Sequence, residues 1–133
     1  MAHSRYDCGP GCPVAATLDL IGGKWKGSIL YLLLDGPLRF NVLRRLMGDV
    51  AERTLSLALK DLQASGLIAR RVIDQAPPAV EYRLTEAGET LRPAIIALRD
   101  WGLRRLVDQG AAIPDDRELR RLAEEFAATD TPS

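Results

Sequence analysis

Basic and hydroxyl-bearing side chains between positions 39 and 83 have the types and spacing needed to bind nucleic acid. The chain has no net charge, yet residues 24–83 carry ten basic and six acidic residues. Arginine and lysine suit the phosphates of a DNA duplex, and a helix in the groove reads base edges with the first residues of its exposed face. The hypothesis of nucleic-acid binding rests on these residues taken together, because any one arginine alone is more often a solvated surface residue. The candidate DNA-binding residues are Arg39, Asn41, Arg44, Arg45, Arg53, Thr54, Ser56, Leu57, Lys60, Arg70, Arg71 and Arg83.

Two cysteines offer a second candidate chemistry. Cys8 and Cys12 are spaced C-x₃-C, and with no second pair and His3 as the only histidine they cannot supply the four ligands of a structural zinc site. Cys12 precedes Pro13 at the start of a predicted helix, where the helix dipole lowers the pKa of a thiol. Cys12, and with it Cys8, is therefore a redox-sensing candidate. The alternative is that Cys12 is a small buried apolar residue.

Signatures of an enzyme are missing. A serine or cysteine nucleophile has no credible base, because the single histidine lies in the N-terminal segment. Gly22-Gly23-Lys24 matches a fragment of a phosphate-binding loop, but the full spacing is absent and Trp25 stands where Ser or Thr is required. We expect no enzymatic activity, no metal and no cofactor.

The elements that must position the DNA-binding set lie between positions 50 and 85. Leu55, Leu59 and Leu62 recur at helical spacing and predict a recognition helix over 53–64, which Gly66 ends. Two segments rich in β-branched and apolar residues, 67–73 and 80–85, predict strands separated by a turn at Pro77-Pro78. A helix followed by a two-stranded ribbon predicts a winged helix, in a fold that is mainly α with a small β-wing.

Further helices flank this segment. The predicted ranges are 13–21, 24–34, 40–47, 85–107 and 117–127. Asp49 is the expected N-cap of the recognition helix and Thr85 that of the long helix. Leu91, Ile95, Leu98, Trp101 and Leu106 are assigned to one face of the long helix. Pro93 lies inside it, so this helix either bends or begins later.

The chain is predicted to form one domain. We expect a flexible arm over 1–11, a winged-helix domain over 12–128 with its core at 24–85 and dimerisation helices at 12–22 and 86–128, and a disordered tail over 129–133. Apolar residues of the long helix extend beyond a single stripe, to Ile96, Leu103 and Val107, which favours a dimer; the alternative is that the last helix covers them within one chain. The absence of a long apolar run and of a signal-peptide core favours the cytoplasm.

The sequence resembles the HxlR-type winged-helix transcriptional regulators, which are related to the MarR group. The matching segments are CPVAATLDLIGGKW (12–25), DGPLRFNVLRR (35–45), RTLSLALKDLQASGLIARR (53–71) and PPAVEYRLTEAG (77–88). The resemblance implies a homodimer built on the first and last helices, a palindromic operator in double-stranded DNA and, often, repression of an adjacent gene. Several members sense electrophiles or oxidants through an N-terminal cysteine, and Cys12 stands at that Cys-Pro position.

The chain departs from the family pattern at three points. Ala51 replaces a frequent serine at the start of the recognition helix, Leu57 and Ala58 replace residues that form hydrogen bonds, and Ala79 replaces a frequent basic residue of the wing. Two rivals remain open, and these departures favour the first of them. One is a small-molecule sensor that has lost DNA binding, with an aromatic effector in an apolar dimer cleft near Trp25 and Trp101. The other is a protein–protein adaptor.

Overall fold

The computed structural model describes residues 11–74 and 76–110, together with Arg117, Arg121, Glu124 and Glu125. A first helix precedes a second, which continues into a 3₁₀ turn; a short strand leads into a third helix, and a fourth is followed by a hairpin and then by further helices. Within this part of the chain, no helix is long and apolar enough to cross a membrane. The elements are α1 (Pro13–Ile21), α2 (Lys26–Leu32), β1 (Leu38–Arg39), α3 (Phe40–Leu46), α4 (Glu52–Ala64), β2 (Ile68–Ile73), β3 (Ala79–Leu84), α5 (Glu86–Glu89) and α6 (Arg92–Asp108).

The core lies where α2, α3 and α4 meet the sheet. Each helix contributes leucine, isoleucine or valine side chains that solvent does not reach, and Tyr82 and Leu84 close the core from β3. Full burial of one such aliphatic side chain stabilises the fold by about 1.5–3 kcal/mol, so these contacts dominate the position of α4. The side chains with the least exposure are Ile29, Leu30, Leu33, Val42, Leu43, Leu55, Leu59 and Leu62.

The sheet has three antiparallel strands in the order β1-β3-β2. The hairpin of β2 and β3 was expected; β2 begins one residue later than predicted, and β3 begins and ends one residue earlier. Strand β1 was not predicted. Its two residues pair with β3 at Leu38↔Tyr82 and Arg39↔Glu81, and so join the start of α3 to the hairpin. We call β2, β3 and their connecting turn the wing; together with α4 they confirm the winged helix.

The start of α4 corrects the prediction that Asp49 is its N-cap. Asp49 has a left-handed backbone, with φ of 56°, and lies in the turn before the helix. Ala51 takes the N-cap position, with φ of −55°, ψ of 134° and no side-chain hydrogen bond, and α4 begins at Glu52. Because alanine has no side-chain acceptor, the first N–H groups of α4 lack the usual side-chain cap.

The helices after the wing settle the alternatives at Pro93. Thr85 is the N-cap as predicted, because its Oγ1 accepts a hydrogen bond from the Gly88 N–H at 3.0 Å. The helix it caps is short, however, and α6 begins separately at Arg92 with Pro93 in its first turn, where proline is tolerated. The predicted helix over 117–127 lies outside the described residues except at positions 117, 121, 124 and 125, which are helical. Residues 1–10 of the predicted arm over 1–11, which include His3 and Cys8, and the predicted tail over 129–133 also lie outside them.

Candidate nucleic-acid interface

Helix α4 presents one polar face away from the core. Leu55, Leu59 and Leu62 are fully buried, whereas Arg53 and Lys60 on the opposite side are exposed and Leu57 between them is 52% exposed. The structure therefore gathers Arg53, Leu57 and Lys60 from the predicted set into one stripe. This is the geometry of a recognition helix, whose outer face enters the groove while its inner face anchors it.

The hydroxyl residues of α4 are less accessible than the stripe. Thr54 and Ser56 are half-buried. Ser56 lines a cleft of about 500 Å³ between the start of α4 and the wing, with Glu52 on the same helix and Pro77, Ala79 and Tyr82 across from it. Glu52 was not predicted as part of the site. The predicted recognition helix begins at position 53, so the sequence analysis left Glu52 outside it, whereas α4 begins at Glu52.

Arg44 and Arg39 are held differently from the exposed arginines. The Arg44 Nε–H donates a hydrogen bond of 3.0 Å to the Val50 carbonyl oxygen, and its side chain is half-buried. Arg44 thus ties α3 to the turn before α4. Arg39 is also half-buried, and its Nη1 is enclosed with no hydrogen-bond partner among the described residues. Asn41 and Arg45, near them on α3, are exposed.

The wing arginines divide between the two faces of the sheet. Arg70 pairs with Tyr82 across the strands, and Arg83 pairs with Ala69. Side chains at opposed positions lie on the same face, so Arg70 shares the face of Tyr82, whereas Arg71 and Arg83 belong to the other face. Arg71 faces Glu81, with 3.8 Å between Nε and Oε1. The three wing arginines therefore do not share one face of the sheet.

A family model described as HxlR-like helix-turn-helix matches residues 20–109. This match spans more than half of the chain and includes α2, the whole of α4 and the wing. The chain belongs to the HxlR-like helix-turn-helix family. It is therefore a transcriptional regulator with a helix-turn-helix, and the sequence resemblance is confirmed.

Similar proteins agree with the family assignment. An uncharacterized HTH-type transcriptional regulator of Bacillus subtilis, YdeP, is 54% identical over 92 residues, which are 69% of this chain and 72% of that protein. A solved structure of the redox regulator HypR in its oxidized form has a TM-score of 0.67 and 48% identity, over 70% of this chain and 96% of that one. A MarR-family regulator from Porphyromonas gingivalis W83 has a TM-score of 0.68 and 32% identity, over 71% and 93%.

Cys12 of this HxlR-like chain is the N-cap residue of α1 and is only 3% exposed. The buried position agrees with the alternative that Cys12 is a small apolar core residue. Among the residues that the structure describes, no group of three or more histidine, cysteine, aspartate or glutamate side chains is placed to hold a metal ion.

The HxlR-like chain exposes apolar side chains mainly on α1 and α6. In the described part of the chain, eight of the ten exposed large apolar residues lie on these two helices. Of the residues assigned to one face of the long helix, Ile95 alone is buried, while Trp101 is 72% exposed. We call the following residues the terminal-helix apolar surface: Val14, Leu18, Leu20, Leu98, Trp101, Leu103, Leu106 and Val107.

Proposed function

We propose that this HxlR-like regulator is a homodimeric, sequence-specific DNA-binding repressor that acts on a palindromic operator. The observation that carries the proposal is the outward stripe of α4, in which Arg53 and Lys60 flank Leu57 opposite a fully buried leucine stripe. In this arrangement α4 lies in the major groove, and the exposed arginines of α3 and the wing contact phosphates.

The terminal-helix apolar surface supports the dimer. Ile21 is the only buried residue of α1 and Ile95 the only buried residue of α6. A helix with apolar residues on several sides requires a second surface to cover them, and a second copy of α1 and α6 supplies one of matching chemistry. Two-fold symmetry then spaces the two α4 helices by one turn of DNA, about 34–36 Å, or a multiple of it.

The proposal is tested by gel-shift titration and footprinting on DNA from upstream of this protein's own gene, over a series of salt concentrations. We expect a footprint with two-fold symmetry and a steep fall of affinity with salt, because phosphate contacts release counterions. Arg53→Ala should weaken binding at least severalfold at fixed salt. Arg104→Ala removes the same charge from α6 and should bind like wild type. No shift at any salt would refute DNA binding and favour a small-molecule sensor.

Thiol sensing by Cys12 is a second part of the proposal. Cys12 is buried at the first turn of α1, so oxygen added to its Sγ, or a disulfide to it, requires α1 to move relative to the core. Movement of α1 alters the terminal-helix apolar surface and hence the spacing of the two α4 helices. The 48% identity to HypR, a protein described as a redox regulator, supports this assignment.

The thiol switch is tested by repeating the gel shift with hydrogen peroxide, beside Cys12→Ser and Cys8→Ser. A shift that oxidant abolishes in wild type and in Cys8→Ser, but not in Cys12→Ser, assigns sensing to Cys12. If oxidant abolishes the shift in wild type and in Cys12→Ser, but not in Cys8→Ser, sensing is assigned to Cys8. A shift indifferent to oxidant in every variant leaves the DNA-binding regulator and removes the switch.

A further inference from the structure

Leu57 lies at the centre of the outward stripe of α4. Successive residues of an α-helix are rotated by about 100°, so Arg53, Leu57 and Lys60 fall within about 60° of one another, opposite the buried leucines. Leu57 is 52% exposed, and its neighbour Ala58 is buried. A cation therefore lies about one turn before and one turn after the exposed leucine, on the part of the helix farthest from the core.

Exposure of a single leucine needs no explanation, since apolar atoms form much of any protein surface. The flanking charges are what indicate its partner. Arg53 and Lys60 suit the phosphates and polar base edges of DNA, which brings the side chain between them to the floor of the groove. The major groove presents hydrogen-bond donors and acceptors and one apolar group, the C5-methyl of thymine. A leucine forms no hydrogen bond, so the methyl group is the partner that its chemistry fits.

We propose that Leu57 is a specificity-determining residue that recognises one thymine in each operator half-site by packing on the C5-methyl group. This inference rests on the proposed DNA-binding function and names one base that the protein recognises in each half-site. Leu57 then selects T·A over the other pairs at one position without a hydrogen bond, and Arg53 and Lys60 supply affinity around it.

The test replaces thymine by uracil, which removes the C5-methyl group and leaves base pairing unchanged. Duplexes spanning the footprinted sequence are made in two series. In the first, uracil replaces thymine at one position of one half-site; in the second, it does so at the two symmetric positions of both half-sites. Their affinities are measured by fluorescence anisotropy at fixed salt. Removal of one buried methyl group should weaken wild-type binding about fourfold, which is about 0.8 kcal/mol, and replacement in both half-sites should weaken it about fifteenfold.

Three variants separate Leu57 from other contacts. Leu57→Ala should bind the thymine and uracil duplexes equally, whereas Leu57→Met, which keeps an apolar side chain of similar length, should retain most of the uracil penalty. Val72→Ala is the matched control, because Val72 is an equally exposed apolar residue of the wing. It should keep the full penalty. Unchanged thermal unfolding of each variant shows that the fold is intact.

The possible outcomes distinguish failure of the Leu57 assignment from failure of the proposed DNA-binding function. If wild type binds no DNA at any salt, both are wrong. If wild type binds its operator but no uracil substitution weakens binding, the DNA-binding function stands and Leu57 does not read a methyl group. A uracil penalty of equal size in wild type and Leu57→Ala refutes the assignment to Leu57 in the same way.

Discussion

Gly88→Ala should destabilise the protein, because a methyl group at this position meets the backbone of Leu67, the residue before β2. Gly88 is buried, and a Cβ built on it lies closer to the Leu67 carbonyl oxygen than the 3.0 Å that real Cβ atoms respect, and 3.2 Å from Leu84 Cδ2. The Leu67 oxygen is held in place, since it accepts the Thr85 N–H at 3.0 Å. Thr85 Oγ1 in turn donates to the Gly66 carbonyl at 2.6 Å and accepts the Gly88 N–H.

The size of the effect follows from three contributions. Inserting a methyl group into a packed site costs about 1–3 kcal/mol, and breaking the Thr85–Leu67 hydrogen bond to relieve the overlap costs about 1 kcal/mol. Alanine in place of glycine in a helix returns about 0.5–1 kcal/mol. The free energy of unfolding should therefore fall by about 2 kcal/mol, which moves a urea midpoint by about 1 M if the slope is about 2 kcal/mol per M.

Gly27→Ala is the matched control. Gly27 lies in α2 and, like Gly88, faces a backbone carbonyl oxygen. A Cβ on Gly27 is 3.6 Å from the Ile21 oxygen, which is ordinary van der Waals contact. This variant should be unchanged or more stable by up to about 1 kcal/mol. Both variants are measured at the same protein concentration, because association also contributes to stability. A Gly88→Ala protein as stable as wild type would show that α5 does not press on the residues leading into β2 as described.

Three further substitutions test other parts of the structure. Ala51→Ser should raise the free energy of unfolding by about 1 kcal/mol, because the new Oγ can accept the Thr54 N–H; an unchanged urea midpoint would contradict the observed cap geometry. Trp101→Lys should shift sedimentation equilibrium from dimer to monomer, and a persistent dimer would place the interface elsewhere. Arg44→Gln should lower stability by about 1 kcal/mol through loss of the bond to Val50 and leave the salt dependence of DNA binding unchanged, whereas a shallower dependence would make Arg44 a phosphate contact.

Elements with a strong period and a clear end could be predicted from the sequence. The leucines at 55, 59 and 62 specified α4 to within one residue at its start, and Gly66, with φ of 78°, ends it as expected. The β-branched and apolar residues of β2 and β3 specified the wing equally well. In these segments local preference and tertiary packing favour the same structure, so a single sequence contains enough information.

Elements that depend on distant partners could not be predicted. Strand β1 has two residues, which are too few to show an alternation of apolar and polar side chains. It exists because β3 leaves an edge to which Leu38 and Arg39 can pair. The candidate site shows the same limit. Arg44 and Arg45 are equivalent in the sequence, yet it is Arg44 that bonds the Val50 carbonyl, a contact set by the turn between α3 and α4.

The exposed apolar residues of α6 concern the assembly rather than the single chain. Leu98, Trp101 and Leu106 were assigned to one face of the long helix by their spacing, and in the single chain all three are exposed. An apolar stripe at helical spacing indicates that a helix packs against another surface, and in an oligomer that surface can belong to a partner subunit. In the proposed dimer this face is covered by the partner, and α6 then sets the distance between the two α4 helices. Substitutions of the exposed apolar residues of α6 should therefore weaken operator binding, although α6 carries none of the proposed DNA-contacting residues. Loss of affinity for a two-half-site operator, with affinity for a single half-site retained, is the signature that separates this effect from a direct contact.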